Sequence, residues 1–247
     1  MKIRRPARWA ASVCAVGALL AVSACQSSDE GSESGDPATE VDPASAEIRG
    51  WDDACAILEP DLIAEQLGAD YDEDGPVHVG TNAGMFLGAI SCNALFRVES
   101  DPDQQQGFMY LHISPSDDAE LAKFQYDEIW EDDFASNSDE DPTSNIMLTY
   151  EEEMEGEWDE AAIFVTTGHN GDRVWAYYLE GSYMVQIQLQ WGPDSEVHHA
   201  AQRGEEDLSE FAEFDFTPLD IGRWVKNTYL PQIHQTITDK IAEGTGS

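Results

Sequence analysis

The stretch "RVWAYYLEGSYMVQIQLQW" (173–191) is the strongest constraint on what this chain can fold into. Two runs rich in β-branched and aromatic residues flank Gly181-Ser182, and a two-residue turn with Gly first is that of a type II′ hairpin. The turn dictates the register. Tyr178 faces Val185, Ala176 faces Ile187 and Val174 faces Leu189 on one side, which is apolar enough to be a core face. Leu179 with Met184, Tyr177 with Gln186, Trp175 with Gln188 and Arg173 with Gln190 fall on the other. That second face sets rings beside a row of glutamines. Trp175, Tyr177, Gln186 and Gln188 form a candidate ligand face, because flat apolar area supplies affinity and amides set orientation for a sugar ring or a partner's strand. The competing reading is packing beneath a helix or loop of the same chain.

The other segments are read around this hairpin. Residues 51–68 predict a short helix with Leu58, Leu62, Ile63 and Leu67 on one side and Gly68 to end it. "AISCNALFRVES" and "GFMYLHISPS" predict two strands about a turn at 101–106. Residues 116–134 predict a helix with Ser116 as N-cap and acids in its first turn. The acidic 135–160 region reads as loop, and "AAIFVTTG" as a further strand. Thr217, Pro218 and Asp220 announce a closing helix, which Pro231 should bend or split. The order α-β-β-α-β-β-β-α implies an α+β fold: an antiparallel sheet of about five strands, helices packed on one face, one domain.

The N-terminus carries an address. Lys2, Arg4, Arg5 and Arg8 precede an apolar run from about Trp9 to Val22, too short to span a bilayer comfortably and flanked like an export signal. It ends in Val22-Ser23-Ala24-Cys25, which resembles the lipobox of bacterial lipoproteins. That resemblance implies removal of residues 1–24 and acylation of Cys25, with palmitate-type chains holding the protein on the extracytoplasmic face of the cell membrane. Residues 26–47 then carry seven acids, no basic residue and no aromatic, too little apolar surface to offset ordering entropy. The expected organisation is a signal peptide (1–24), a lipidated cysteine and acidic tether (25–47), one domain (48–243) and a short tail (244–247). The tether's random-coil reach is roughly 25 Å.

With Cys14 in the signal peptide and Cys25 acylated, Cys55 and Cys92 remain, and outside the cytoplasm such a pair reads as a disulfide. A two-cysteine metal or redox site is the alternative. The chain has 12 Lys+Arg against 50 Asp+Glu; without the four basic residues of the signal peptide it carries a charge of about −42. Nucleic acid and anionic surfaces would be repelled, so no nucleic-acid partner is expected. An acidic surface that keeps the molecule dispersed, a cation-collecting role and a basic partner all fit that charge.

Residues 53–60, "DACAILEP", then Leu67-Gly68, then "SCNALF" (91–96) resemble the actinobacterial lipoproteins grouped as domain of unknown function 3558. The resemblance covers residues 50–99 best, and departs from the pattern in placing Ala54 before the first cysteine, where proline is common. It implies a cell-envelope lipoprotein with a Cys55–Cys92 bridge, an α+β body and no established activity, and it carries over no catalytic residue.

Catalytic and metal signals are sparse. "DYDEDGPVHVGT" (70–81) opens like a calcium loop, with Asp70, Asp72 and Asp74 at alternate positions and Gly75 for the turn, but Thr81 stands where a bidentate Glu belongs. Calcium is the one cofactor it hints at; an exposed turn is the other reading. His198-His199 with Glu196 lacks zinc spacing. Glu151–Glu153 and the 139–141 acids could supply paired carboxylates to an envelope hydrolase, as almost any acidic stretch could. The expectation is therefore a binding or interaction domain of the envelope rather than an enzyme, its partner an envelope polymer, a small ligand or a protein. A hydrolase and a calcium-dependent module are the alternatives.

Overall fold

The computed structural model describes residues 41–80, 88–101, 103, 105–137, 146–168 (146–151 as backbone) and 171–246. Three short helices open it, α1 (Pro43–Arg49), α2 (Ala54–Leu58) and α3 (Pro60–Leu67). The strands β1 (Ala69–Tyr71), β2 (Val77–Val79), β3 (Ile90–Val98) and β4 (Gln106–Pro115) follow, then helix α4 (Ala119–Asn137). Next come β5 (Ile146–Glu153), β6 (Glu160–Gly168), β7 (Asp172–Glu180) and β8 (Tyr183–Trp191). The helices α5 (Ser195–Gln202), α6 (Pro218–Trp224) and α7 (Leu230–Thr245) close the chain. Cys25, the expected signal peptide and the expected tether as far as residue 40 lie outside the described residues.

The α+β class holds, but the sheet has eight strands rather than about five. All pair antiparallel in the order β1-β3-β4-β8-β7-β6-β5, and β2 shares the outer edge of β3 with β1. β1 and β2 have three residues each, too few to show an alternation. β5 was hidden by its Glu151–Glu153 run, since Glu is depleted in strands. The β7–β8 register is the one the turn dictates, from Arg173 opposite Gln190 to Leu179 opposite Met184. Gly181 has φ 50° and Ser182 a negative φ, the combination a type II′ turn requires.

Helices lie on both faces, not one. The first face packs Phe96, Leu111, Ile113, Val185 and Ile187 against Ile48, Leu58, Ile63, Val225, Ile233 and Ile237 of the short helices and the C-terminal pair. The second face receives α4, whose Ala122, Tyr126 and Ile129 lie on Phe164, Trp175, Tyr177, Leu179 and Met184.

Ordered structure starts before residue 48. Asp42 caps α1 by accepting from the Ala44 N–H, Pro43 occupies the first turn, and Ile48 is fully buried. Ser45 Oγ and Ser182 Oγ lie 2.7 Å apart, and Ser182 donates to Asp42, so the hairpin turn holds α1 in place. The helix expected over 51–68 is broken at Glu59, whose φ of 44° is the one positive value among the described non-glycine residues. Pro60 then opens α3. Pro231 does not split the closing helix. One π turn over Val225–Tyr229 carries it from α6 into α7, which absorbs the missing donor and the clash of the proline ring with the preceding turn. The helix ends at Thr245, inside the expected tail.

Cys55 and Cys92 are bridged, with Cα atoms 4.8 Å apart across 37 residues, tying α2 to β3. His78 Nδ1 accepts the Ala54 N–H beside the bridge and seats the start of α2. Closing a loop of that length contributes about 3–4 kcal/mol on the chain-entropy account. Cys55→Ala/Cys92→Ala should therefore lower Tm by roughly 6–15 °C in a thermal melt. A change under two degrees would show that the bridge adds no stability.

Candidate functional site

The four residues proposed as a ligand face do not present their rings to solvent. Trp175 is 5 % exposed and Tyr177 fully buried, because α4 lies over both. Trp130 meets Tyr177 and Phe164 edge-on at 5.6 and 5.4 Å, closing a cluster of rings. Tyr177 Oη donates to Asp133 Oδ2 at 2.6 Å, and Gln186 Nε2 donates to the same oxygen at 3.2 Å. Burial raises the Asp133 carboxyl above its usual range, and the Tyr177 hydrogen bond offsets part of that. This half of the second face is packing. Gln188, half-buried, sits at its border between Trp175 on β7 and Tyr110 on β4.

The acids read as the start of a calcium loop are not gathered into one cluster among the described residues. Asp70 lies on β1 opposite Arg97, while Asp72 is engaged by both Arg97 and Gln106, and Asp74 points from an exposed turn. Gly75 N–H donates to the Asp72 carbonyl at 2.9 Å, and with φ 63° it closes a plain turn between β1 and β2. Thr81 lies outside the described residues. Among the described residues no cluster of His, Cys, Asp and Glu could hold a metal ion, and His198 bonds instead to Gln202. Of the acids proposed for hydrolysis, 139–141 lie outside the described residues and Glu152 pairs with Lys226 at 2.5 Å.

Across β8, the second face changes character. The register continues from Gln188 to Tyr110 and Asn93, and from Gln190 to Phe108 and Leu95. Phe108 and Tyr110 are half-buried, Leu95 is 48 % exposed, and Val77 of β2, on the same side opposite Asn93, is 47 % exposed. These residues floor a cleft of about 760 Å³, which the turn bearing Asp72, Glu73 and Asp74 borders. That volume lies within the range of small-molecule sites. Asp72 N–H donates to the Leu95 carbonyl, fixing the turn beside the floor. The Arg97–Asp72–Gln106 contacts fix the wall above it.

The polar groups of the floor are shielded. Burial raises the Tyr110 phenol, so it is neutral and offers an apolar ring with a hydroxyl tip. His112, two residues on, lies tilted against Tyr110 with ring centroids 3.6 Å apart and is almost wholly buried. Burial lowers its pKa to about 3, so the imidazole is uncharged, and its Nε2 has no hydrogen-bond partner among the described residues. Ser91, directly opposite His112, is equally buried, and its Oγ has no hydrogen-bond partner among the described residues. A neutral imidazole that does not bond this hydroxyl does not make a nucleophile of it.

The sequence signal for this cleft was present but divided. Asn93, Leu95 and Arg97 alternate with buried Cys92, Ala94, Phe96 and Val98, marking a partly wet face. Phe108 and Tyr110 lie on a separate strand, and nothing local to either strand states that β4 pairs with β8. No family model, no curated protein and no solved structure matches this chain.

The buried imidazole sets a pH dependence. With its folded pKa depressed to about 3 from 6.5, His112 contributes stability present above pH 6.5 and lost as pH falls toward the folded value. By pH 4.5 the loss should approach about 3 kcal/mol. His112→Leu should flatten that part of the stability curve, so that the gap between the two proteins in urea unfolding shifts in the variant's favour on going from about pH 7 to 4.5. An unchanged gap would place a charged imidazole in the folded protein.

Proposed function

We propose that this chain is a lipid-anchored, extracytoplasmic binding domain of the cell envelope, with the cleft on the open half of the sheet's second face as its ligand site. The cleft carries the reading. It joins exposed aliphatic area at Leu95 and Val77, aromatic rings at Phe108 and Tyr110, and an amide at Asn93. Concave apolar surface with a few placed polar groups is the usual make-up of a small-ligand site. The basic start, the apolar run and the Val22-Ser23-Ala24-Cys25 tetrapeptide support the anchor, as does the resemblance to the lipoproteins named above. An acidic tether after Cys25 would hold the domain away from an anionic membrane surface.

Two measurements test this. Mass spectrometry of the mature protein should find Cys25 as the first residue, bearing a diacylglyceryl group; an intact precursor would remove the anchor. Naphthylethanol, a neutral aromatic probe, should bind the full-length chain saturably. Phe108→Ala should weaken it about tenfold through the loss of roughly 1.4 kcal/mol of ring contact. Binding that is unsaturable, or indifferent to Phe108, would overturn the site.

A further inference from the structure

We infer that the cleft selects a cationic ligand: a small organic ammonium or amidinium carried on an aromatic or aliphatic body. The inference rests on the cleft being a ligand site and adds the chemistry of what enters it. Its lining holds three carboxylates, Asp72, Glu73 and Asp74, against a single guanidinium, Arg97. Arg97 is bound to Asp72, so that pair is internally compensated, and Glu73 and Asp74 stand exposed on the turn with no salt bridge among the described residues.

The floor works in the same direction. Phe108 and Tyr110 line the cleft, and aromatic rings attract a cation placed over a face within about 6 Å of the centroid. Tyr110 is held neutral by burial and retains that ring character. His112, the one titratable base beside these rings on β4, is uncharged over the physiological range and opposes no cation. Leu95 and Val77 supply aliphatic area for the body of the ligand, with the charged end toward the turn. A carboxylate or phosphate ligand would meet two uncompensated acids at the same place and be disfavoured.

The test compares naphthylethylamine, naphthylethanol and naphthylacetate on the full-length chain by isothermal titration at matched detergent. The amine should bind at least fivefold tighter than the alcohol and the acetate weakest, with the amine's advantage shrinking as salt rises to about 0.5 M. Glu73→Gln/Asp74→Asn should cost the amine about fivefold and leave the alcohol unchanged. Both positions lie on an exposed turn, so the melting temperature should be unaffected. Equal affinity for amine, alcohol and acetate would overturn cation selection while leaving the cleft as a ligand site. Failure of all three to bind would remove the cleft itself. A fivefold loss shared by amine and alcohol in the double variant would show that the turn shapes the site without its charge selecting the ligand.

Discussion

One helix is too narrow for one face of this sheet, and that mismatch organises the molecule. Strands lie about 4.8 Å apart, so seven side by side span roughly 30 Å, whereas a helix with its side chains is about 10 Å across. The first face is covered because α1, α2, α3, α6 and α7 share it. The second receives α4, which has the width for two or three strands and settles over β6, β7 and β8. The area over β3 and β4 stays open by geometry, with Leu95 and Val77 at its surface. An open cleft needs no special device here; it is what remains when the helices are spent on the other side.

The same constraint explains the glutamine row. On its second face β8 carries Met184, Gln186, Gln188 and Gln190, which run from beneath α4 to the edge of the cleft. Met184 is buried under the helix, Gln186 is satisfied by Asp133 on that helix, Gln188 lies between Trp175 and Tyr110, and Gln190 lies beside Phe108. β8 is therefore the boundary strand, and an amide suits a boundary: it can pair inside a protein or with water without the cost of moving a charge. The pattern that suggested a ligand face was real, but it marked the seam between packing and cleft.

This accounts for what the sequence could and could not tell. The hairpin was legible because a two-residue turn leaves one register, and seven facing pairs follow from it. The Thr217-Pro218-Asp220 signal was equally local, and it forms a capping box. The strands β1 and β2 were not legible, since three residues have no period and both exist only by pairing with β3. α1 was read as tether because Ile48 is its one large apolar residue; burial of that side chain and the Ser45–Ser182 contact order it from a distance of more than a hundred residues. The position of the cleft was non-local for the same reason. It depends on which half of the second face α4 occupies, and the aromatic residues of β7 that decide this lie some forty positions from the helix.

The large negative charge is a poor guide to what the cleft selects, although it invites that use. At physiological salt the screening length is about 8 Å, so carboxylates on the far helices are invisible from the cleft. A cavity of about 760 Å³ is only roughly 9 Å across, comparable to that length, so the groups that act on its contents are those lining it. Arg49, Lys123, Lys226 and Arg203 are each paired with nearby acids and add nothing at the cleft. Such surface pairs contribute little to stability, yet they occupy four of the eight Lys and Arg residues that the structure describes. With one cation at the cleft, and that one bound to Asp72, the local field is set by Glu73 and Asp74 above neutral rings. On the proposed cation selection, selectivity belongs to the turn between two minimal strands, and would persist if the rest of the surface were neutral.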